Sequence, residues 1–257
     1  MLTTAMATVA DLYISEARLG KFWQQKGDSK ETLVSRHLFN QAVGAALYAP
    51  LQNLEIALRN SLCSEFDRRF GNTWLTNLWL VTNDESCRKD RAKIDSVINS
   101  LQDAAMRQYL PPPSTLSSNL ITELGLGLWV NLMNKRYTHP RKELPYAFWP
   151  ASYELAFPSA YALHVKQTDL TSRLYTVLEL RNAVFHHRII TLGVTLSDGA
   201  KHPLEEMARY LQESIELIAP RIAKITRKTE TLTGVLQAGP EQYLDVAALV
   251  CKNKSRP

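Results

Sequence analysis

The chain has 257 residues, 45% of them apolar, and carries 30 Lys and Arg against 25 Asp and Glu for a net charge of +5. That composition excludes a disordered tail and is long enough to bury a sizeable core. The positive balance suits a polyanionic partner without requiring one.

Along the chain the apolar spacing is helical almost throughout. Thr8 to Gln25 reads as a first helix. Ser29 opens a second that runs to about Tyr48. Pro50 is expected to interrupt it, and a long helix follows from Leu51 to Phe70, stopped by Gly71. Asp84 to about Tyr109 reads as the next helix, closed by three prolines, with Pro111 to Ser118 as a rigid connector. Leu120 to Tyr137 is expected to be helical despite Gly125 and Gly127. Thr138 to Pro158 is a proline- and aromatic-rich crossing with at most short helices. Asp169 is placed as the N-cap of the helix that ends in His186 and His187. Leu192 to Pro203 reads as a loop, Leu204 to Ile218 as a helix, and Pro240 as the start of a short last one. The only strand-like run, Arg188 to Leu196, is too short to build a sheet. The fold class is all-α.

Cys63, Cys87 and Cys251 are far apart, odd in number and outside any zinc-ligand spacing, which points to a reducing cytoplasm. Met1 to Leu12 lacks the charged and apolar regions of a secretory signal. No window approaches the roughly 18–20 apolar residues of a spanning helix, so no membrane partner is expected. No glycine-rich phosphate loop appears, which argues against nucleoside triphosphate hydrolysis. The tryptophans, Trp74, Trp79, Trp129 and Trp149 among them, read as core anchors.

The segment richest in chemistry is Leu180-Arg181-Asn182-Ala183-Val184-Phe185-His186-His187. Arginine holds phosphate, and histidine moves protons near neutral pH. On a wheel of about 100° per residue, Leu170, Leu174, Val177, Leu178, Val184 and Phe185 form an apolar stripe with Arg181 near its middle. A charge so placed must be paired or face a ligand. The earlier helix offers a candidate partner: Leu51, Leu54, Leu58, Leu62 and Phe66 form its stripe, Glu55 falls inside it and Arg59 lies at its edge. Glu55 is therefore expected to pair with Arg181, with Arg59 close by. His186 shares a face with Asn182, about 140° from Arg181 on a regular helix. One regular helix cannot aim both at a single phosphate. Either the helix unwinds after Phe185, or a second copy of the chain completes the site.

Basic runs lie at Arg88 to Lys93, Lys135 to Lys142 and Arg221 to Lys228. In the second, Lys135, Arg136 and Tyr137 interleave cations with an aromatic ring, a pattern suited to single-stranded RNA.

Arg181, Asn182 and His186, with His187 in range, resemble the signature of the HEPN superfamily: an arginine, a polar residue, then a histidine four to six positions on. The segments Leu54 to Asn60, Phe70 to Leu75, Glu123 to Leu132, Phe148-Trp149-Pro150, Phe157-Pro158 and Leu180 to His187 look like those of Abi-like (AbiD/AbiF-type) abortive-infection proteins. The resemblance spans about Arg18 to Ile218 and leaves a basic C-terminal extension, 219–257. Where that family continues the His-His pair with an acidic residue and a proline, this chain has Arg188 and Ile189, which adds a cation beside the site.

The resemblance implies a single all-α domain over 1–257, a HEPN-like helical bundle with additional helices, acting as a homodimer. It implies a metal-independent endoribonuclease without a cofactor, a toxin-like effector in phage defence, with RNA as substrate and an antitoxin, protein or RNA, as a further partner. In that scheme His186 is general base or acid, and Arg181 holds the scissile phosphate. Asn182 orients His186 or binds a phosphate oxygen, and His187 is a second proton-transfer candidate. Glu55, Arg59 and Asn60 support the site, while Arg188, Lys135, Arg136 and Tyr137 contact RNA. The competing reading is a non-catalytic HEPN dimer module that binds RNA or protein.

Overall fold

The computed structural model describes residues 14–76, 87–105, 113–138 and 147–252. It is helical, as expected. The elements are α1 (Glu16–Leu19), continued by a 3-10 turn at Gly20–Phe22, then α2 (Lys30–Phe70), α3 (Arg88–Ala105), α4 (Pro113–Glu123), α5 (Leu126–Leu132), α6 (Tyr153–Ala156), α7 (Pro158–Ala162) and α8 (Gln167–Phe185). After them come β1 (Val194–Thr195), β2 (Lys201–His202), α9 (Leu204–Ile218), α10 (Pro220–Thr229), α11 (Leu232–Ala238) and α12 (Leu244–Cys251). The strands pair antiparallel, Val194 opposite His202. No described helix is long and apolar enough to cross a membrane.

Several boundaries differ from the sequence expectation. Pro50 does not interrupt its helix: α2 runs unbroken through it for 41 residues. A proline inside a helix removes one hydrogen bond and costs about 3 kcal/mol. Offsetting that cost, Val43, Leu47, Leu51, Leu54, Leu58, Leu62 and Phe66 form one buried stripe along the whole helix. Conversely, the helix expected over Leu120 to Tyr137 is broken. Gly125 is extended (φ −85°, ψ 172°) and caps α5, which ends before a 3-10 turn at Lys135–Tyr137. Pro113 opens α4 inside the expected connector, where its missing N–H has no helical partner to lose. Of the first expected helix, only Glu16–Leu19 is α-helical within the described residues.

The chain divides into two compact units. Unit 1 takes the described residues of Met1–Pro50, Glu179–Ala208 and Lys228–Pro257; unit 2 takes those of Leu51–Leu178 and Arg209–Arg227.

Unit 2 is organised by aromatic rings. Phe66 stacks on Phe148 at 4.1 Å between centroids and meets Trp74 edge-on at 5.0 Å, and Tyr137 stacks on Phe148 at 5.3 Å. Such pairs add about 0.5–1.5 kcal/mol each beyond their burial. Arg69 ties the cluster together, its Nη1 donating to the Phe148 carbonyl at 3.1 Å and to Ser152 Oγ at 2.6 Å. Trp129 and Trp149 are buried and donate their indole N–H groups to the carbonyls of Leu124 and Leu132. Trp74 is buried as well, so these three are the core anchors expected of them. Trp23, by contrast, is 65% exposed, and Trp79 lies outside the described residues.

Unit 1 gathers Leu19, Phe22, Leu33, Val34 and Ala247 into its core, with Ile14, Leu38, Ile189 and Val250 packed against them. Its residues come from α1, the start of α2, the chain after α8, and α12. The C-terminal extension therefore supplies part of this core, and a hydrogen bond from Ser35 Oγ to the Pro240 carbonyl fastens it to α2.

Candidate functional site

The last turn of α8 positions the motif. Leu170, Leu174, Val177, Leu180 and Ala183 are fully buried, so the buried face drifts away from Arg181 toward Leu180 and Ala183 as the helix ends. Arg181, Asn182 and Val184 are half-buried and Phe185 is exposed. Arg181 thus lies beside the buried face and not at its centre.

The helix stops at Phe185 in a Schellman turn. The His187 amide donates to the Val184 carbonyl at 3.0 Å and the Arg188 amide to the Ala183 carbonyl at 2.8 Å. The turn puts His187 in the left-handed region, φ 54°, a position that glycine normally takes. The helix ends after Phe185: the His186 amide still donates to the Asn182 carbonyl at 2.9 Å, as in a helix, and the chain turns away at His187. His186, His187 and Arg188 are all exposed at this end.

Two contacts hold the turn in place. Arg18 donates from Nη2 to the His187 carbonyl. Asn40, a buried side chain of α2, donates to the Arg188 carbonyl at 3.2 Å and accepts from the amides of Ile190 (2.8 Å) and Thr191 (3.3 Å). A side chain that closes both sides of a loop in this way removes its freedom to rearrange.

The expected pair of Glu55 and Arg181 would join residues of the two separate units, and within its own unit Arg181 meets an aromatic ring. Glu55 is half-buried, belongs to unit 2 and enters no ion pair among the described residues. Arg181, in unit 1, has its guanidinium over the Phe185 ring at 4.4 Å, and its Nε is sealed from solvent with no hydrogen-bond partner. A cation over a ring face is stabilised by about 0.5–1 kcal/mol. Arg59 has a sealed, unpartnered Nε of its own, and Asn60 is exposed.

Of the expected RNA contacts, Tyr137 is corrected. It is fully buried, donates to Asp90 Oδ2 at 3.1 Å and has its phenol pKa pushed far up by that burial, then by the Asp90 charge. A ring enclosed in a core cannot stack on a base. Arg136 lies 3.5 Å from the same carboxylate, while Lys135 is exposed. Arg188 pairs with Glu179 at 3.5 Å, so its charge is shared and not simply added to the site. His139, in the same basic run, lies outside the described residues.

Beside the helix end, wholly within unit 1, is a cleft of about 1030 Å³. Its walls include Arg18, His37, Tyr48, Phe185, His187 and Arg188. Tyr48 and Phe185 stack at 5.7 Å with their planes 30° apart. His37 is buried, meets Phe22 edge-on at 5.6 Å, and has an Nδ1 with no partner. Burial, and then the charge of Arg18, lower its pKa below the ordinary 6.5 and favour the neutral ring.

None of Arg18, His37, Asn40 or Tyr48 was expected at the site. A signal for them exists: His37, Gln41, Gly44 and Tyr48 recur at intervals of four, three and four along α2, one face of a helix, and all line the cleft. That face mixes polar, small and aromatic residues, so no apolar stripe marks it. Among the described residues, no three His, Cys, Asp or Glu side chains gather as a metal-binding group.

Compared with known proteins, the chain matches no family model, no curated protein and no solved structure.

Proposed function

We propose that this chain is a metal-independent endoribonuclease of the HEPN type, serving as an effector in abortive-infection phage defence. The observation that carries the reading is the end of α8. The helix stops at Phe185 and leaves His186 and His187 exposed in the turn that follows Arg181, whose guanidinium has no carboxylate partner among the described residues. Two imidazoles and an unneutralised guanidinium are the groups that a transesterification of RNA needs.

In this reading, one imidazole, His186, takes the proton of a ribose 2′-hydroxyl. The oxygen attacks the adjacent phosphorus and the bond from phosphorus to the 5′ oxygen breaks. The departing oxygen takes a proton from the second imidazole, His187. Products are a 2′,3′-cyclic phosphate and a 5′-hydroxyl. Such proton transfers contribute about 10²–10⁴-fold to rate. Arg181 donates to the non-bridging phosphate oxygens as charge builds on them, and Asn182 orients His186 or the phosphate. Homodimerisation and neutralisation by an antitoxin, protein or RNA, belong to the same reading, as does a cytoplasmic location.

Its test is cleavage of total and transfer RNA in excess chelator by wild type, Arg181→Ala and His186→Ala. The wild type is expected to cut, and each variant to lose at least about 100-fold in rate. Equal cleavage by all three would remove these residues from the site. Absence of cleavage, with retained RNA binding, would favour the non-catalytic module.

A further inference from the structure

The cleft in unit 1 has a chemistry of its own. Among the described residues no carboxylate lines it, whereas two arginines, Arg18 and Arg188, and two histidines, His37 and His187, do. Arg18 spends one N–H on the His187 carbonyl, and a guanidinium has five. The rest of the wall is largely apolar, and Gly44 leaves it open: a Cβ there would meet only Val184 Cγ1, at 3.9 Å. The stacked rings of Tyr48 and Phe185 are 51% and 42% exposed, an unusual state for an aromatic pair beside a cavity. Finally, His37 is nine-tenths buried in the wall and its Nδ1 has no hydrogen-bond partner.

These features select among ligands. An aliphatic anion would use the cations and apolar wall but gain nothing from a flat aromatic surface or a buried imidazole. A purely inorganic anion would leave most of a 1030 Å³ space unfilled. A flat heterocycle with hydrogen-bonding edges, joined to negative groups, uses all of them. A neutral imidazole offers one donor and one acceptor, and so discriminates between base edges instead of merely attracting charge.

We propose that the cleft seats one unpaired base of an RNA strand, stacked against the Tyr48–Phe185 pair and hydrogen-bonded to His37, with Arg18 and Arg188 directed to its phosphates. His37 is then the specificity-determining residue, which selects the base flanking the cut. The strand and the cut rest on the endoribonuclease reading above; the cleft and its preference do not require that this chain cleaves.

The experiment is anisotropy titration of fluorescein-labelled, uncleavable 2′-O-methyl tetranucleotides of A, C, G and U, run beside cleavage of the unmodified RNAs. Wild type is expected to favour one base over the weakest by about ten-fold, the size of one buried hydrogen bond. His37→Phe, which keeps the ring's bulk, should bring the four affinities within about two-fold of one another. Tyr48→Ala should weaken all four by about ten-fold through lost stacking. An unchanged order and spread of affinities in His37→Phe, or no measurable binding by wild type, overturns the proposal. Should His37→Phe fail to fold, Gly44→Leu tests the same cleft by filling it. That variant must weaken every tetranucleotide by at least about ten-fold, and unchanged binding overturns the proposal equally. The two readings fail separately. Base preference that depends on His37 without cleavage by wild type sinks the nuclease and keeps the cleft. Cleavage with a preference indifferent to His37 does the reverse.

Discussion

The Asp90 cluster in unit 2 and the end of α8 in unit 1 both hold polar groups out of water, and they treat them in opposite ways. Asp90 is 2% exposed, with Oδ1 accepting from Asn131 at 2.6 Å and Oδ2 from Tyr137 at 3.1 Å. Both oxygens are used, and the donors come from inside the unit. At the end of α8, Arg181 Nε and His37 Nδ1 are sealed without partners and His187 holds a left-handed backbone. Unit 2 has open atoms elsewhere, at Arg59 and Ser214, but none in the Asp90 cluster. A closed network fixes a fold. Unsatisfied groups and a left-handed residue gathered near one helix end cost stability that a closed network does not.

The contrast can be broken most forcefully at Asp90. Asp90→Ala leaves the Tyr137 hydroxyl and the Asn131 amide without their acceptor, and is expected to lose about 3–5 kcal/mol in urea unfolding. A loss under about 1 kcal/mol would mean that the network is not closed. Asn40→Ala comes next, since one side chain serves three backbone groups after the helix end. It should cost about 2 kcal/mol and speed hydrogen exchange at the Ile190 amide. Normal protection of that amide would show that the loop holds itself.

His187→Gly should act in the other direction. With φ 54° at this position, glycine relieves backbone strain, so unfolding should show a gain of about 1 kcal/mol while RNA cleavage falls. A loss of stability would show that the imidazole contributes more to the turn than its backbone costs.

The smallest effect concerns pH. The folded chain holds the His37 pKa below the ordinary 6.5, so the unfolded chain binds this proton at a higher pH than the folded one does. Stability from this group is therefore complete above about pH 6.5 and is lost as the pH falls through that value toward the folded pKa. His37→Phe should flatten that part of the stability profile in urea titrations between pH 7.5 and 5.5, and a slope identical to wild type would contradict it.

Much of the helical class was legible because long apolar spacing at period 3.6 survives in a single sequence. Pro50 misled because a local breaker was overruled by a stripe running from Val43 to Phe66, a sum over many residues that no local rule contains. Arg181 misled for a related reason. The ideal wheel centres it among Leu170, Leu174 and Val177, but the buried face of α8 drifts toward Leu180 and Ala183, and only packing sets that drift. Tyr137 lay in a run of cations that reads as a surface loop, while its ring is enclosed by Phe148 and its hydroxyl by Asp90. The helix end itself could be read as a choice between two arrangements. The cleft beside it could not, because it joins α2 to residues about 150 positions later, as the Asn40–Ile190 bond does.

The most direct measurement is the chemistry of the ends that wild type produces on a single RNA in chelator, with and without a 2′-deoxy substitution at the cleaved nucleotide. Mass spectrometry should find a 2′,3′-cyclic phosphate and a 5′-hydroxyl, the deoxy substrate should stay intact, and Arg181→Ala should yield neither end. A 3′-hydroxyl with a 5′-phosphate, or cleavage of the deoxy substrate at the same position, would contradict a site built from Arg181, His186 and His187.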